Sequence, residues 1–214
     1  MDEITLQGTY QLPILFDLLA TFLFAFSGSV KAINMKYDFI GVFILAMVTS
    51  TGGAVIRDIL LQHGPPAILL DYRYIVMVLL AGTAGMYFYK FNNKMEFTTS
   101  VVDAISLGMY AVFGTQKAIA MDLGLFAAFI IGFINAVGGG LIRDLLTKEE
   151  PKLFKPGHYY SVASIVAIII FLILGAGFKI NAQIAAIVAI GASFLFRFSA
   201  LKFNWTTKAI HKQM

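Results

Sequence analysis

A chain of 214 residues that is 59% hydrophobic, 13% charged and of net charge +4 lies outside the composition of soluble domains. Its mean hydropathy of +0.81 places it in the bilayer as a single all-α transmembrane domain over residues 1–214. It has no cysteine, which excludes disulfides, thiolate metal sites and cysteine nucleophiles.

Apolar runs long enough to cross a hydrocarbon core of about 30 Å predict seven helices. They cover residues 12–32, 39–62, 73–91, 100–118, 123–147, 159–177 and 180–200. Residues 1–5 are acidic and lack a basic leader, so the first run is expected to be a retained span. Asn34, Pro65, Pro66, Asn92, Asn93, Pro151, Pro156, Gly157 and Asn181 mark the loops. Tyr72, Tyr74, Tyr87 and Tyr89 around the third span, and Trp205 after the seventh, fit an interfacial aromatic belt.

Arg73, Lys117 and Lys179 fall on one side of these spans and eleven basic residues, from Lys31 to Lys212, on the other. That asymmetry predicts an amino terminus outside and a carboxyl terminus in the cytoplasm. The basic carboxyl-terminal residues read as a topology signal rather than a docking site. His63, His158 and His211 are far apart and form no short-spaced metal motif.

Within the second span stands Gly52-Gly53-Ala54-Val55-Ile56-Arg57-Asp58, and 86 residues later comes Gly138-Gly139-Gly140-Leu141-Ile142-Arg143-Asp144. The offset holds without a gap for Asp17 and Asp103, Gly28 and Gly114, Lys31 and Lys117, Pro65 and Pro151, and Tyr74 and Tyr160. An internal duplication follows, with repeats over 12–91 and 98–177 and the span at 180–200 left unpaired. Three spans per copy is an odd number, so the second copy is expected to enter the membrane inverted.

Consecutive glycines cost about 1 kcal/mol each in a helix, so a kink or local unwinding is expected at Gly52, Gly53, Gly138, Gly139 and Gly140. Carbonyls freed there, with oxygens from Thr49, Ser50, Thr51 and Asn135, suit a partly hydrated monovalent ion. Close helix packing through small residues is the other reading.

A charge inside a span costs about 2.5–3.5 kcal/mol, so Arg57, Asp58, Arg143 and Asp144 require wet or charged surroundings. Adjacent helix residues point about 100° apart, which favours partners on other helices over pairing between neighbours. Asp17, Arg57, Asp58 and Lys117 are expected to form an outer layer, and Asp103, Arg143, Asp144 and Lys31 an inner one. These would be charged gates around a glycine waist, with lysines able to block the path or respond to voltage. No phosphate loop or nucleophile arrangement is present, so neither catalysis nor a cofactor is expected. The expected surroundings are membrane lipid, without nucleic acid.

Seven spans, two inverted three-span repeats and a doubled Gly-Gly-x-x-x-Arg-Asp resemble the trimeric intracellular cation (TRIC) channel family, in its prokaryotic branch. The resemblance covers spans one to six. It implies a homotrimer in a prokaryotic inner membrane, with a pore in each protomer lined by the bent second and fifth spans and conducting potassium and sodium. It further implies that Gly52, Gly53, Gly138 and Gly139 are the kinks, and that Lys117 is similar to basic residues linked to gating in animal members. Bacterial proteins with this motif are also described as glycine transporters. Secondary transport of a small zwitterion is therefore a second reading, with half-helix amino termini on a carboxylate and carbonyls on an ammonium group. A non-transporting scaffold, the third, leaves the buried charges without a use.

Overall fold

The computed structural model describes residues 12–62, 64–90, 95–155, 157 and 159–207. Residues 1–11, His63, residues 91–94 (with Asn92, Asn93 and Lys94), Pro156, His158 and residues 208–214 (with Lys208, His211 and Lys212) lie outside the described residues.

Among the described residues eight α-helices follow in order: α1 (Ile14–Asn34), α2 (Phe39–Leu61), α3 (Ala67–Leu70), α4 (Arg73–Tyr89), α5 (Met95–Ile119), α6 (Gly124–Leu146), α7 (Tyr160–Leu172) and α8 (Ala182–Lys202). The ends carry the expected chemistry. Asp38 caps α2 by accepting from the Gly41 amide at 2.7 Å, and Asn181 caps α8 through the Gln183 amide at 2.9 Å. A π-helical turn, Ile173–Gly177, closes α7. Among the described residues six helices are long and apolar enough to cross a membrane. The seventh expected span, α4, has 17 residues, a rise of about 26 Å at 1.5 Å per residue.

Helices α1, α2, α5 and α6 form the centre, with α4 against α1 and α2, and α7 and α8 against α5. The face bearing the start of α1 and the ends of α2 and α5 is called the first face here, and the opposite one the second. Tyr72, Tyr87 and Trp205 are exposed, as an aromatic belt requires. Tyr74 is not in the belt: it is buried, because its hydroxyl finds a partner inside the bundle.

The centre is a crossing of two backbones. A methyl at Gly53 would strike the Asn135 carbonyl oxygen, and one at Gly139 would strike that of Thr49. A methyl at Gly52 would lie 2.8 Å from the Ile142 Cδ1, and one at Gly138 3.4 Å from that of Ile56. Each contact thus recurs with both partners moved by 86 residues. Phe24 and Tyr110, also 86 apart, stack on each other with centroids 5.2 Å apart.

Both α2 and α6 run unbroken through their glycines, which corrects the expectation of local unwinding. A broken helix at that depth exposes carbonyls that lipid cannot satisfy, whereas Cβ-free faces let two intact helices meet. Gly82 and Gly85 serve the same end on α4, against Phe43 and Ser29.

Gly139→Ala forces the crossing apart and is expected to cost about 1–3 kcal/mol. Gly191, with nothing within 4 Å of its missing methyl, is the control. The thermal unfolding midpoint in detergent should fall by several degrees for Gly139→Ala and stay level or rise for Gly191→Ala. Equal midpoints would mean that the crossing does not rest on backbone contact.

Candidate functional site: two charged vestibules

At the first face, the closing turns of α2 and α5 and the opening turn of α1 bring Asp17, Arg57, Asp58 and Lys117 together. The Arg57 Nε donates to the Asp58 Oδ1 at 2.8 Å, and the Lys117 Nζ to the same oxygen at 2.7 Å. The Asp58 Oδ2 accepts from the Ala67 amide at 3.1 Å, tying down the turn that starts α3. Asp17 makes a different contact: its Oδ2 accepts from the Tyr74 hydroxyl at 2.5 Å, while its buried Oδ1 has no hydrogen-bond partner among the described residues. Asp17, Arg57, Tyr74, Gln116 and Lys117 line a cavity of about 270 Å³.

At the second face, the Arg143 Nε donates to the Asp144 Oδ1 at 3.0 Å, and its Nη1 reaches the Asp103 Oδ2 at 3.1 Å and the Ser27 Oγ at 3.0 Å. The Asp144 Oδ2 accepts from the Lys152 amide at 3.0 Å, and the Lys152 ammonium lies 3.7 Å from Asp103. Lys31 does not take the place that Lys117 has at the first face; it pairs with Glu149 in the α6–α7 loop. That hydrogen bond holds the Glu149 carboxyl below its ordinary value of 4.5. The pair's small contribution is complete above that value and is lost as the pH falls through the lower one. Ser27, Lys31, Arg143, Asp144, Glu149 and Lys152 line a second cavity of about 320 Å³, with Asp103 behind them on Arg143.

Arg57 and Arg143 are each 2% exposed and bond to their own neighbouring aspartates. Pairing between neighbours, the less favoured arrangement, is therefore present: the long guanidinium side chain bends across the 100° between them. Partners on other helices exist as well, Lys117 for Asp58 and Asp103 for Arg143.

The proposed oxygen ligands are dispersed. Thr49, Ser50 and Thr51 give their protons to their own helix, at Leu45 O (2.6 Å), Met47 O (3.1 Å) and Met47 O (2.8 Å). Ser50 and Thr51 line a chamber of about 10 Å³ behind Asp17 and Tyr74. Thr49 instead packs into the notch at Gly28. Asn135 donates to the Tyr110 carbonyl at 2.6 Å, and its buried Oδ1 has no hydrogen-bond partner among the described residues. The glycines line none of these three cavities; they form the crossing between them.

Sequence reasoning missed Tyr74, Tyr110, Ser27, Glu149 and Lys152. Tyr110 donates to the Ser50 carbonyl at 2.7 Å and ties α5 to α2. Of these, Tyr74 carried a readable signal, its match to Tyr160 at the 86-residue offset.

A family model described as glycine transporter matches residues 14–90 and again residues 100–176. The chain is 34% identical over 149 residues to a UPF0126 membrane protein of Deinococcus radiodurans, covering 69% of each protein. It is 29% identical to the UPF0126 inner membrane protein YadS of Escherichia coli K12, over 88% of this chain and 91% of that one. A crystal structure of a TRIC trimeric intracellular cation channel orthologue from Rhodobacter sphaeroides superposes with a TM-score of 0.84 at 27% identity. That match covers 89% of this chain and 97% of the other.

Asp103→Asn leaves the buried Arg143 guanidinium with Asp144 as its carboxylate partner and is expected to cost about 1–3 kcal/mol. Glu149→Gln removes only a partly exposed pair and is expected to cost less than about 1 kcal/mol. Thermal unfolding of the two variants side by side checks the ranking. Equal losses would contradict the inner cluster as a buried network.

Proposed function

From a chain that belongs to the family described as glycine transporter, and that shares fold and sequence with prokaryotic TRIC channels, we propose a monovalent-cation channel. It conducts potassium or sodium through one pore in each protomer of a homotrimer. The observation that carries this reading is the pair of cavities, of about 270 and 320 Å³, each beside a cluster of paired charges at opposite ends of the α2–α6 crossing. Each holds a buried arginine whose charge is met by aspartates, so water and a small ion can enter without facing an uncompensated charge. The proposed path joins the vestibules past the α2–α6 crossing, whose glycines pack backbone to backbone.

The three-helix units are inverted repeats with α8 outside the pair. The doubled family match and the contacts that recur at an offset of 86 support this. The second face is cytoplasmic on the basic-residue count, and the membrane is an inner one, as for the Escherichia coli relative. The reading calls for no cofactor and no catalytic step.

A second reading, transport of a small zwitterion such as glycine, draws on the family's description and on the separated unlike charges in each vestibule. Purified protein in planar bilayers separates the two. Discrete potassium currents are expected; saturable, gradient-driven glycine uptake without unitary conductance would overturn the channel. Lys117, on the pore side of the first vestibule, is expected to carry voltage sensitivity, since a charge crossing the whole field gains about 2.3 kcal/mol per 100 mV. Lys117→Gln should make the voltage dependence shallower, and an unaltered slope removes Lys117 from that role.

A further inference from the structure

The two vestibules are built from equivalent residues but hold their tyrosines differently. On the first face Tyr74 donates to Asp17 at 2.5 Å. On the second, the buried Tyr160 hydroxyl has no hydrogen-bond partner among the described residues, and Asp103 is held by Arg143 instead. The sequence supplies a cause. Position 140 is the extra glycine of the second copy, and its counterpart 86 residues earlier is Ala54. A methyl on Gly140 would lie 2.5 Å from the Tyr160 hydroxyl, too close for the ring to keep its place. Tyr160 therefore rests in a notch that Ala54 fills in the first copy, where the tyrosine hydroxyl is turned towards the aspartate. A second difference acts in the same direction: Ser27, which accepts from Arg143 at 3.0 Å beside Asp103, has Phe113 as its counterpart at the first face.

We propose that Tyr74 with Asp17 and Tyr160 with Asp103 are the two latches of one gate, the first fastened and the second released, with residues 54 and 140 setting which is which. The inference rests on the duplicated channel read above and adds its gating residues. Tyr74 and Asp17 line both the first vestibule and the 10 Å³ chamber that reaches Ser50, Thr51 and Tyr110, so their hydrogen bond closes the wall between the two. The chamber has room for about one water. Release moves Tyr74 to the position that Tyr160 holds and leaves the Asp17 carboxylate facing the opening.

The absence of cysteine makes the latch directly measurable. Thr51→Cys places one thiol in the chamber, and its rate of modification by a charged methanethiosulfonate is read on detergent-solubilised protein. Tyr74→Phe, which deletes the latch hydroxyl, is expected to raise that rate at least tenfold. Ala54→Gly, which removes no hydrogen bond, should raise it as well, while Tyr160→Phe leaves it unchanged. A cysteine replacing Ser193, buried against the Ala163 carbonyl, reports general loosening and should stay unreactive in every background. An unchanged rate in Tyr74→Phe, an equal rise in Tyr160→Phe, or a parallel rise at position 193 overturns the latch. No current is measured, so a failure of the latch and a failure of the channel reading are distinguishable.

Discussion

The structure depends on the contact between the α2 and α6 backbones at Gly53 and Gly139. Each glycine faces a carbonyl of the other helix, and any side chain there would drive the two apart. In lipid there is no hydrophobic gain from bringing helices together, so close packing and polar contacts must do the holding. The glycines give up helix propensity, and the return is an approach that no other residue allows. Everything near the crossing is placed by it: Tyr110 reaches the Ser50 carbonyl, Asn135 the Tyr110 carbonyl, and Thr49 the notch at Gly28.

The charged clusters obey a different constraint. Removing a guanidinium from water is expensive, and the cost is offset only when its hydrogen bonds are met by opposite charge. Arg143 has Asp103, Asp144 and Ser27; Arg57 has Asp58, whose carboxylate is shared with Lys117. Each cluster also fastens the loop beyond its helix, through the Ala67 amide on one face and the Lys152 amide on the other. Wet space, buried charge and loop anchoring therefore meet at the same aspartates.

The helices were legible because apolar runs and turn residues report local chemistry. Their placement agrees to within a few residues for α1, α2, α6 and α8, while α5 starts at Met95 rather than near residue 100. The doubled motif located both charged clusters. What the glycines do was not legible, because unwinding and close packing share one sequence signature and the partner helix decides between them. Tyr74 looked like a belt residue because it stands at a helix end, and only the fold shows Asp17 beside it. Lys31 looked like the twin of Lys117, but Glu149 in the α6–α7 loop draws it away from Asp144. The copies diverge at single positions, Ala54 against Gly140 and Phe113 against Ser27, and the proposed latch assigns to these the choice between two near-equivalent arrangements.

On the proposed reading a cation crosses between the two vestibules, where the carboxylates of Asp17 at one end and Asp144 and Glu149 at the other meet it. Asp17 lines the first vestibule, and its buried Oδ1, without a hydrogen-bond partner among the described residues, is an acceptor that favours positive charge there. The reversal potential of the purified protein in a planar bilayer, under a tenfold potassium chloride gradient, tests this most directly. Reversal close to the potassium equilibrium potential is the expected result; reversal at zero or towards the chloride potential would contradict it.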